Sequence, residues 1–305
     1  FTTVYDYIPV IGPFFRDMFW LPFLLLGFGL ALPVLLIRDP ANMVEPTDSP
    51  QPAAILLFLA AAAVVGAFVT HAGTAAASQS KESLTILTYN IQQGYSEDGQ
   101  KSHAEQLELM RQIDPDVIGL QESDTNRIAG GNSDLVRYFA DQLNYYSYYG
   151  PKVVPGTFGI ALLSRYPIVN PNTFYMYSVG EQTATISAAI SVNGVPYNIF
   201  VTHLGNDGDL VQQEAILQEA RGLNNVILMG DFNFRPDTEQ YQLTTQTFRD
   251  SWLVKWPSGV DDQANDPARR IDHIFLSPGL EVLDARYLNG PESDHPAYYV
   301  EIGGD

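Results

Sequence analysis

The chain has 305 residues, 46% of them hydrophobic, with 16 Lys and Arg against 35 Asp and Glu and a formal net charge of −19. That length accommodates one or two domains, and a chain with no cationic excess is poorly suited to displacing counterions from a polyphosphate, which argues against nonspecific nucleic-acid binding. It contains no cysteine, so disulfides and thiolate metal sites are excluded.

The sequence opens at Phe1 rather than Met, as expected of a piece of a longer protein. Met18 to Ile37 is uncharged and rich in Leu and Phe, long enough to cross a bilayer core of about 30 Å at about 1.5 Å per residue. Trp20 lies near one end, where an interfacial aromatic belongs, and Arg38-Asp39-Pro40 stops the run. Ala53 to Val69 is a second apolar run. A buried core helix is the plainer reading of either run, and Ala75 to Ser78 also resembles a signal-peptide cleavage site. Two such runs within 70 residues favour two transmembrane helices, at about 18–37 and 53–69, in a membrane region 1–69. Thr70 to Ser83 is small and polar and reads as a tether, 70–83. A catalytic domain, 84–305, then follows, expected on the extracytoplasmic side of an integral membrane protein.

From Leu84 onward the periodicity changes. Leu84 to Tyr89 predicts a strand, Ser102 to Ile113 a helix with Leu107, Met110 and Ile113 on one face, and Asp116 to Leu120 a buried strand. Asp134 to Leu143 predicts a helix through Leu135, Phe139 and Leu143. Tyr145, Tyr146, Tyr148 and Tyr149 read as a half-buried strand, or else as an interfacial aromatic patch. Gly159 to Leu163, Thr183 to Val192 and Tyr197 to Thr202 read as strands, the last two joined by the hairpin signal Asn193-Gly194. Leu210 to Arg221 is helical. Val226 to Met229, Ile271 to Phe275 and Tyr298 to Ile302 complete the strands. Helices alternate with strands early and hairpins follow later. The fold class is therefore α/β, with two mixed β-sheets face to face and helices outside.

Nearly every strand ends in a polar group. Asn90, Glu122 and His203 each follow a strand. Asp231 and Asn233 follow Val226 to Met229, two residues apart and so on one face of an extended chain. Asp272 follows Arg270-Ile271 at the start of another strand, and Asp294-His295 precede the last one. Each has a bland reading as a turn or capping residue. Together they converge at one sheet edge, where crowded carboxylates call for a cation or a His. Oxygen donors suit a hard cation such as Mg²⁺, with Mn²⁺ or Ca²⁺ as alternatives. The chemistry is that of phosphate-ester hydrolysis. A cation on Glu122, with Asn90 and Asp294, would polarise a phosphoryl oxygen. Asp231 or His295 would take a proton from water, with Asp272 orienting His295. His203 and Asn233 would donate to phosphoryl oxygens.

The motifs LTYN at 87–90, LQES at 120–123, GIALLSRYPI at 159–168, THLG at 202–205, GDFN at 230–233, RIDHIFLS at 270–277 and SDHPA at 293–297 resemble, in this order, the endonuclease/exonuclease/phosphatase superfamily. The resemblance implies a four-layer α/β sandwich and Mg²⁺-dependent phosphoester cleavage. It also implies metal-binding roles for Asn90, Glu122 and Asp294 and catalytic roles for His203, Asp231, Asn233, Asp272 and His295. Some nucleases of the family pair the first histidine with a carboxylate from the segment before GIALLSR. Pro151 to Ser164 has none, which leaves the partner of His203 open. YNIQQGY at 89–95, IGLQESDTNRIAGGN at 118–132, YYGPKVVPGTFGIALLSRYPI at 148–168 and GEQTATI at 180–186 resemble, more narrowly, the C-terminal domain of membrane proteins that remodel the lipid of GPI anchors by installing ceramide.

The expected function is thus a membrane-tethered, divalent-metal-dependent phosphodiesterase acting on a GPI-, inositol- or sphingolipid-like phosphodiester. Two alternatives are a metal-dependent nuclease and a non-catalytic accessory subunit of a membrane complex. From Leu84 onward 13 Lys and Arg face 29 Asp and Glu, which opposes the nuclease. Its basic groove would have to come from Lys152, Arg165, Arg235 and Arg269.

Overall fold

The computed structural model describes residues 20–36, 54, 57–62, 64–65, 83–123, 133–150, 159–179 and 182–303. The chain divides into two compact units, Phe1–Gly73 and Thr74–Asp305. In the first, α1 (Trp20–Leu36) is a 17-residue helix that includes Pro22 and Pro33. Its described side chains from Leu24 to Leu32 are largely exposed, Leu30 at 69%. Among the described residues no helix is long and apolar enough to cross a membrane, so the two expected spans are not seen as such. Much of the second run, and the tether apart from Ser83, lie outside the described residues.

The second unit contains two six-stranded mixed sheets. In the first, β1 (Ser83–Asn90) pairs in parallel with β2 (Val117–Gln121) and antiparallel with β12 (Ala297–Gly303). β11 (Val282–Leu288) lies beyond β12, and β4 (Ile160–Ser164) and β3 (Tyr146–Gly150) lie beyond β2. In the second, β5 (Val169–Tyr175), β6 (Ala184–Val192), β7 (Val195–His203), β8 (Val226–Asp231), β10 (Asp272–Leu276) and β9 (Arg249–Asp250) stand in that spatial order. The β6–β7 hairpin turns at Asn193 (φ 52°) and Gly194 (φ 85°). Both central residues have the positive φ of a type I′ turn, which matches the twist of the flanking strands.

Three apolar layers hold the unit together. Ile86, Ile186, Val201, Met229, Ile274 and Val300 belong to the layer between the sheets. Leu107 and Met110 of α2 (His103–Ile113) and Leu135 and Phe139 of α3 (Leu135–Leu143) cover the outer face of the first sheet. Ile216 of α4 (Leu210–Glu219) and Tyr241 of α5 (Glu239–Thr245) cover the outer face of the second. Asp134, Asp209 and Thr238 cap α3, α4 and α5 by accepting from Arg137, Val211 and Tyr241 backbone N–H groups. The α/β sandwich of two mixed sheets flanked by helices is as expected.

The tyrosine stretch is β3: Tyr148 packs on the inter-sheet layer, Tyr145 and Tyr149 on the α2–α3 side. Four elements carry no helical or alternating signature in the sequence. β5 is an exposed edge strand that contains Pro171 and a register shift between Val169 and Asn172. An edge tolerates a proline because its outward N–H is not needed. α5, β9 and α6 (Ser251–Lys255) are too short for a period to show.

His273 is buried at 1% exposure, stacked on Phe234 and Phe275. Its Nε2 lies 3.0 Å from the Phe234 carbonyl, which can only accept, so Nε2 carries the proton and Nδ1 is bare, without a partner. Burial pushes this imidazole down from 6.5 to about 4. The unfolded chain therefore binds the proton first, and stability present above pH 6.5 is lost as pH falls toward 4. The expected loss is roughly 3 kcal/mol. Denaturant titrations across that window should show it in the parent and not in His273→Phe; parallel curves for the two would remove His273 as the cause.

Candidate active site

The site continues the rows of side chains that fill the inter-sheet layer. Strand side chains alternate, so every second residue faces that layer. β1 sends in Leu84 and Ile86, then Thr88 and finally Asn90; β7 sends Ile199, Val201 and then His203. β8 sends Ile227, Met229 and then Asp231, and β10, running the other way, sends Leu276, Ile274 and then Asp272. Register places both His203 and Asp272 opposite Asp231. Four apolar rows thus end in polar groups at one end of the sandwich. A second polar pair lies among them, where the Thr88 hydroxyl donates to Gln121 Oε1 at 3.2 Å. Gly230 (φ 154°) precedes Asp231, and a Cβ there would sit 2.1 Å from the Thr202 carbonyl oxygen, so only glycine lets β8 close on β7.

Asp231 is the hub, 1% exposed. Its Oδ2 accepts from Asn90 Nδ2 at 3.0 Å and lies 3.5 Å from His203 Nε2 and 3.7 Å from His295 Nε2. Its Oδ1 accepts from the Asn233 backbone N–H at 3.0 Å. His203 thus meets a carboxylate of the neighbouring strand β8 through its Nε2. On the far side of its ring, His295 Nδ1 is 2.9 Å from Asp272 Oδ2. The carboxylate fixes the proton on Nδ1 and turns Nε2 toward Asp231. The Tyr287 hydroxyl donates to the Asp272 carbonyl at 2.6 Å, a tie that no sequence motif announces.

Asn90 Nδ2 also donates to Glu122 Oε1 at 3.2 Å, so one carboxamide bridges two carboxylates. Its Oδ1 accepts from the Gln92 N–H. Ser293 Oγ donates to the Asn90 carbonyl at 2.7 Å and accepts from the His295 N–H at 3.2 Å, which brings the Asp294-His295 segment against the end of β1. Asp294 is exposed, 3.4 Å from Ser293 Oγ. Asn233 (φ 53°) turns its side chain away to the Leu204 carbonyl at 2.9 Å. Every sequence-predicted site residue therefore lies at this end of the sandwich.

The charges are not balanced by the described side chains. Burial, and then the Asp231 charge, raise the Asp272 carboxyl to about 6. Burial would lower His295, but its hydrogen bond to Asp272 and the charges of Asp272, Asp231 and Asp294 outweigh this and raise it to about 10. Among the described residues Glu122 and Asp294 have no ion pair, and Asp272 Oδ1 is buried without a hydrogen-bond partner. Ligand atoms of Asp231, Asp272 and His295 lie within 4.8 Å of one another. The Asp272–His295 hydrogen bond already engages that group, whereas Glu122 and Asp294 offer carboxylate oxygens and Asn90 a carboxamide oxygen that here accepts from the Gln92 N–H. Both the donor set and the excess negative charge fit a hard divalent cation.

Among the described residues, the cationic residues that a nucleic-acid groove needs are not assembled. Arg165 pairs with Asp114 and Asp116 at 2.5 and 2.9 Å, before the start of β2 and so at the opposite end from Glu122. Arg235 and Arg269 are exposed, and Lys152 lies outside the described residues.

The family described as PGAP2IP, C-terminal nuclease-like domain, matches residues 81–251. Over 99 residues, 32% of this chain, the sequence is 39% identical to protein cwh43 of Schizosaccharomyces pombe (strain 972 / ATCC 24843), and the match spans 10% of the length of that relative. An endonuclease/exonuclease/phosphatase from Beutenbergia cavernae DSM 12333 superposes with a TM-score of 0.60 at 17% identity, over 73% of this chain and 72% of that one. The human Nocturnin catalytic domain with bound sulfate anion gives 0.56 at 19% identity, over 74% and 96%. A mannosyl-6-phosphatase of Bacteroides thetaiotaomicron VPI-5482 gives 0.54 at 19%, over 72% and 100%. The fold is that of the endonuclease/exonuclease/phosphatase superfamily, whose members are in general phosphoric ester hydrolases, and the chain belongs to the PGAP2IP C-terminal nuclease-like domain family.

Proposed function

We propose that the protein is a membrane-tethered, divalent-metal-dependent phosphodiesterase that acts on a lipid phosphodiester of the GPI-, inositol- or sphingolipid type, in lipid remodelling. The observation that carries the reading is the Asp231 hub, one carboxylate oxygen shared by two imidazoles and a carboxamide that leads to Glu122. The likeness to protein cwh43 supports the lipid substrate. The uncharged runs 18–37 and 53–69, and the exposed apolar surface of α1, support the tether.

In this reading Glu122, with Asn90 and Asp294, would hold a cation such as Mg²⁺, which would supply electrostatic stabilisation of charge on phosphoryl and leaving oxygens. Asp231 takes the proton of the attacking water through Oδ2. His295, oriented by Asp272, and His203 donate their Nε2 protons to phosphoryl oxygens as charge builds there. Asn233 and Asp231 stay in place through the Leu204 carbonyl and the Asn233 N–H.

An apolar rim beside the cleft favours a lipid interface over a soluble substrate. Tyr177 and Val179 are 69% and 84% exposed. The Gln212 side chain ties the Tyr177 carbonyl, at 3.0 Å, to the Gly205 N–H, at 2.9 Å, two residues after His203. Such residues suit the headgroup boundary.

The test is Mg²⁺-dependent release of headgroup by the full chain from phosphatidylinositol, GPI-like glycolipid and sphingophospholipid vesicles, beside single- and double-stranded DNA. Lipid turnover should exceed DNA turnover, and DNA cleavage alone would replace the reading with a nuclease. Tyr177→Ser with Val179→Ser should reduce turnover on vesicles about tenfold and spare the same lipid in detergent micelles, a prediction that rests on about 1–3 kcal/mol of interfacial burial. Equal losses in both formats would discard the rim.

A further inference from the structure

Gln106 belongs to none of the motifs, lies on the outer helix α2 and is fully buried. Its Nε2 lies 2.9 Å from the Ile91 carbonyl oxygen and 2.8 Å from that of Glu292, with the Tyr95 carbonyl farther off at 3.4 Å. A carboxamide nitrogen has two N–H bonds, and the two short contacts account for both. The acceptors are otherwise unrelated. Ile91 follows Asn90 directly, and Glu292 precedes Ser293-Asp294-His295, far along the chain. One side chain thus fastens the segment that carries Asn90 to the segment that carries Asp294 and His295. Next to it, Ser293 Oγ donates to the Asn90 carbonyl, and the Glu97 N–H donates to the Pro291 carbonyl at 3.1 Å. Helix α2 is itself pinned to the same loop, because the Ser102 N–H donates to the Gly94 carbonyl at 2.9 Å.

We infer that Gln106 is a positioning residue for the reaction: from outside the cleft, its amide sets the separation between Asn90 and the Asp294–His295 pair. The inference rests on the active-site reading above. An apolar side chain of the same length fills the same space but leaves the Glu292 carbonyl without this donor and the Ile91 carbonyl with the Gly94 N–H alone, at 2.7 Å, so the tie between the two segments loosens. A misplacement of about 1 Å between groups that act together costs on the order of a hundredfold in rate.

The experiment compares the full chain with Gln106→Met, Gln106→Glu and a control, Gln213→Met. Gln213 is equally buried, on α4, where its Nε2 donates to the Thr244 hydroxyl at 2.7 Å, away from the cleft. Two readouts are taken: amide hydrogen exchange, and kcat and KM for phosphatidylinositol in mixed micelles with Mg²⁺. Either Gln106 variant should speed exchange at 90–97 and 291–296 about tenfold, with the rest of the domain unchanged. It should also lower kcat about ten- to a hundredfold at constant KM. Gln213→Met should lower the melting temperature to a similar degree but move neither readout. Unchanged exchange in those two segments, or a kcat loss matched by Gln213→Met, would overturn the inference. A parent protein inactive on phosphatidylinositol, GPI-like glycolipid and sphingophospholipid alike would refute the activity, while the exchange data would still decide whether the clamp exists.

Discussion

Asp231→Asn is expected to lower kcat about 10²- to 10⁴-fold, the range for loss of a general base, while the protein stays folded. Asparagine preserves the volume and still accepts from the Asn233 N–H, so the turn after β8 survives. What disappears is the anion shared by Asn90, His203 and His295. Stability should hold or rise slightly, because the Asp231 charge is one of the influences that push the Asp272 carboxyl up to about 6. Initial rates on the lipid substrate, with a melting curve of the same sample, separate the two effects. His295→Ala should cost a comparable factor, and the double variant little more than the worse single one, since groups acting as a unit are not additive. Turnover within a few fold of the parent in Asp231→Asn would remove this residue from the chemistry.

Arg270→Met should produce the largest loss of stability, about 3–5 kcal/mol, which for a domain of this size is a fall in melting temperature of roughly 10 °C. Arg270 Nη2 lies 2.5 Å from Asp250 Oδ2, and each side chain is only 4% exposed. Asp250 also accepts from the Tyr241 hydroxyl at 2.7 Å and the Trp252 N–H at 2.9 Å. Burial would raise its carboxyl, but the Arg270 guanidinium outweighs this and holds it below the usual range. Methionine fills the space and abandons a buried anion, which is the expensive half of breaking such a pair. Asp250→Asn in the same background should recover part of the loss. Arg270 stands two residues before Asp272, so kcat should fall as well. A loss under about 1 kcal/mol would mean that Asp250 finds another partner, or water, at little cost.

Much of the site was legible because its residues end rows that the sequence displays. Ile227-Met229-Asp231 and Ile199-Val201-His203 can be read by alternation alone, and GDFN and SDH fix the order. The His203 partner was not legible. The segment Pro151 to Ser164 offers no carboxylate, and the Asp231 contact follows from the parallel pairing of β7 with β8, a register that no local pattern encodes. Arg165 looked available for a groove and is held by Asp114 and Asp116, because a charge count carries no position. Edge strand β5, with its proline, and the two-residue β9 lack the alternation that a half-buried strand shows. Gln106 escaped notice because a glutamine between Glu105 and Leu107 looks like any surface helix residue.

The continuity between core rows and cleft restricts how the gene can change length. Inserting one residue between Val226 and Asp231 would exchange the two faces of β8. The carboxylate would then point toward Phe232, Phe275 and Ile216 instead of toward the imidazoles, and an apolar residue would occupy its place. In-frame insertions within these strands are therefore tolerable only in pairs, and the alignment of any relative that retains the chemistry should show no odd-numbered gap between the last apolar core position and its polar end.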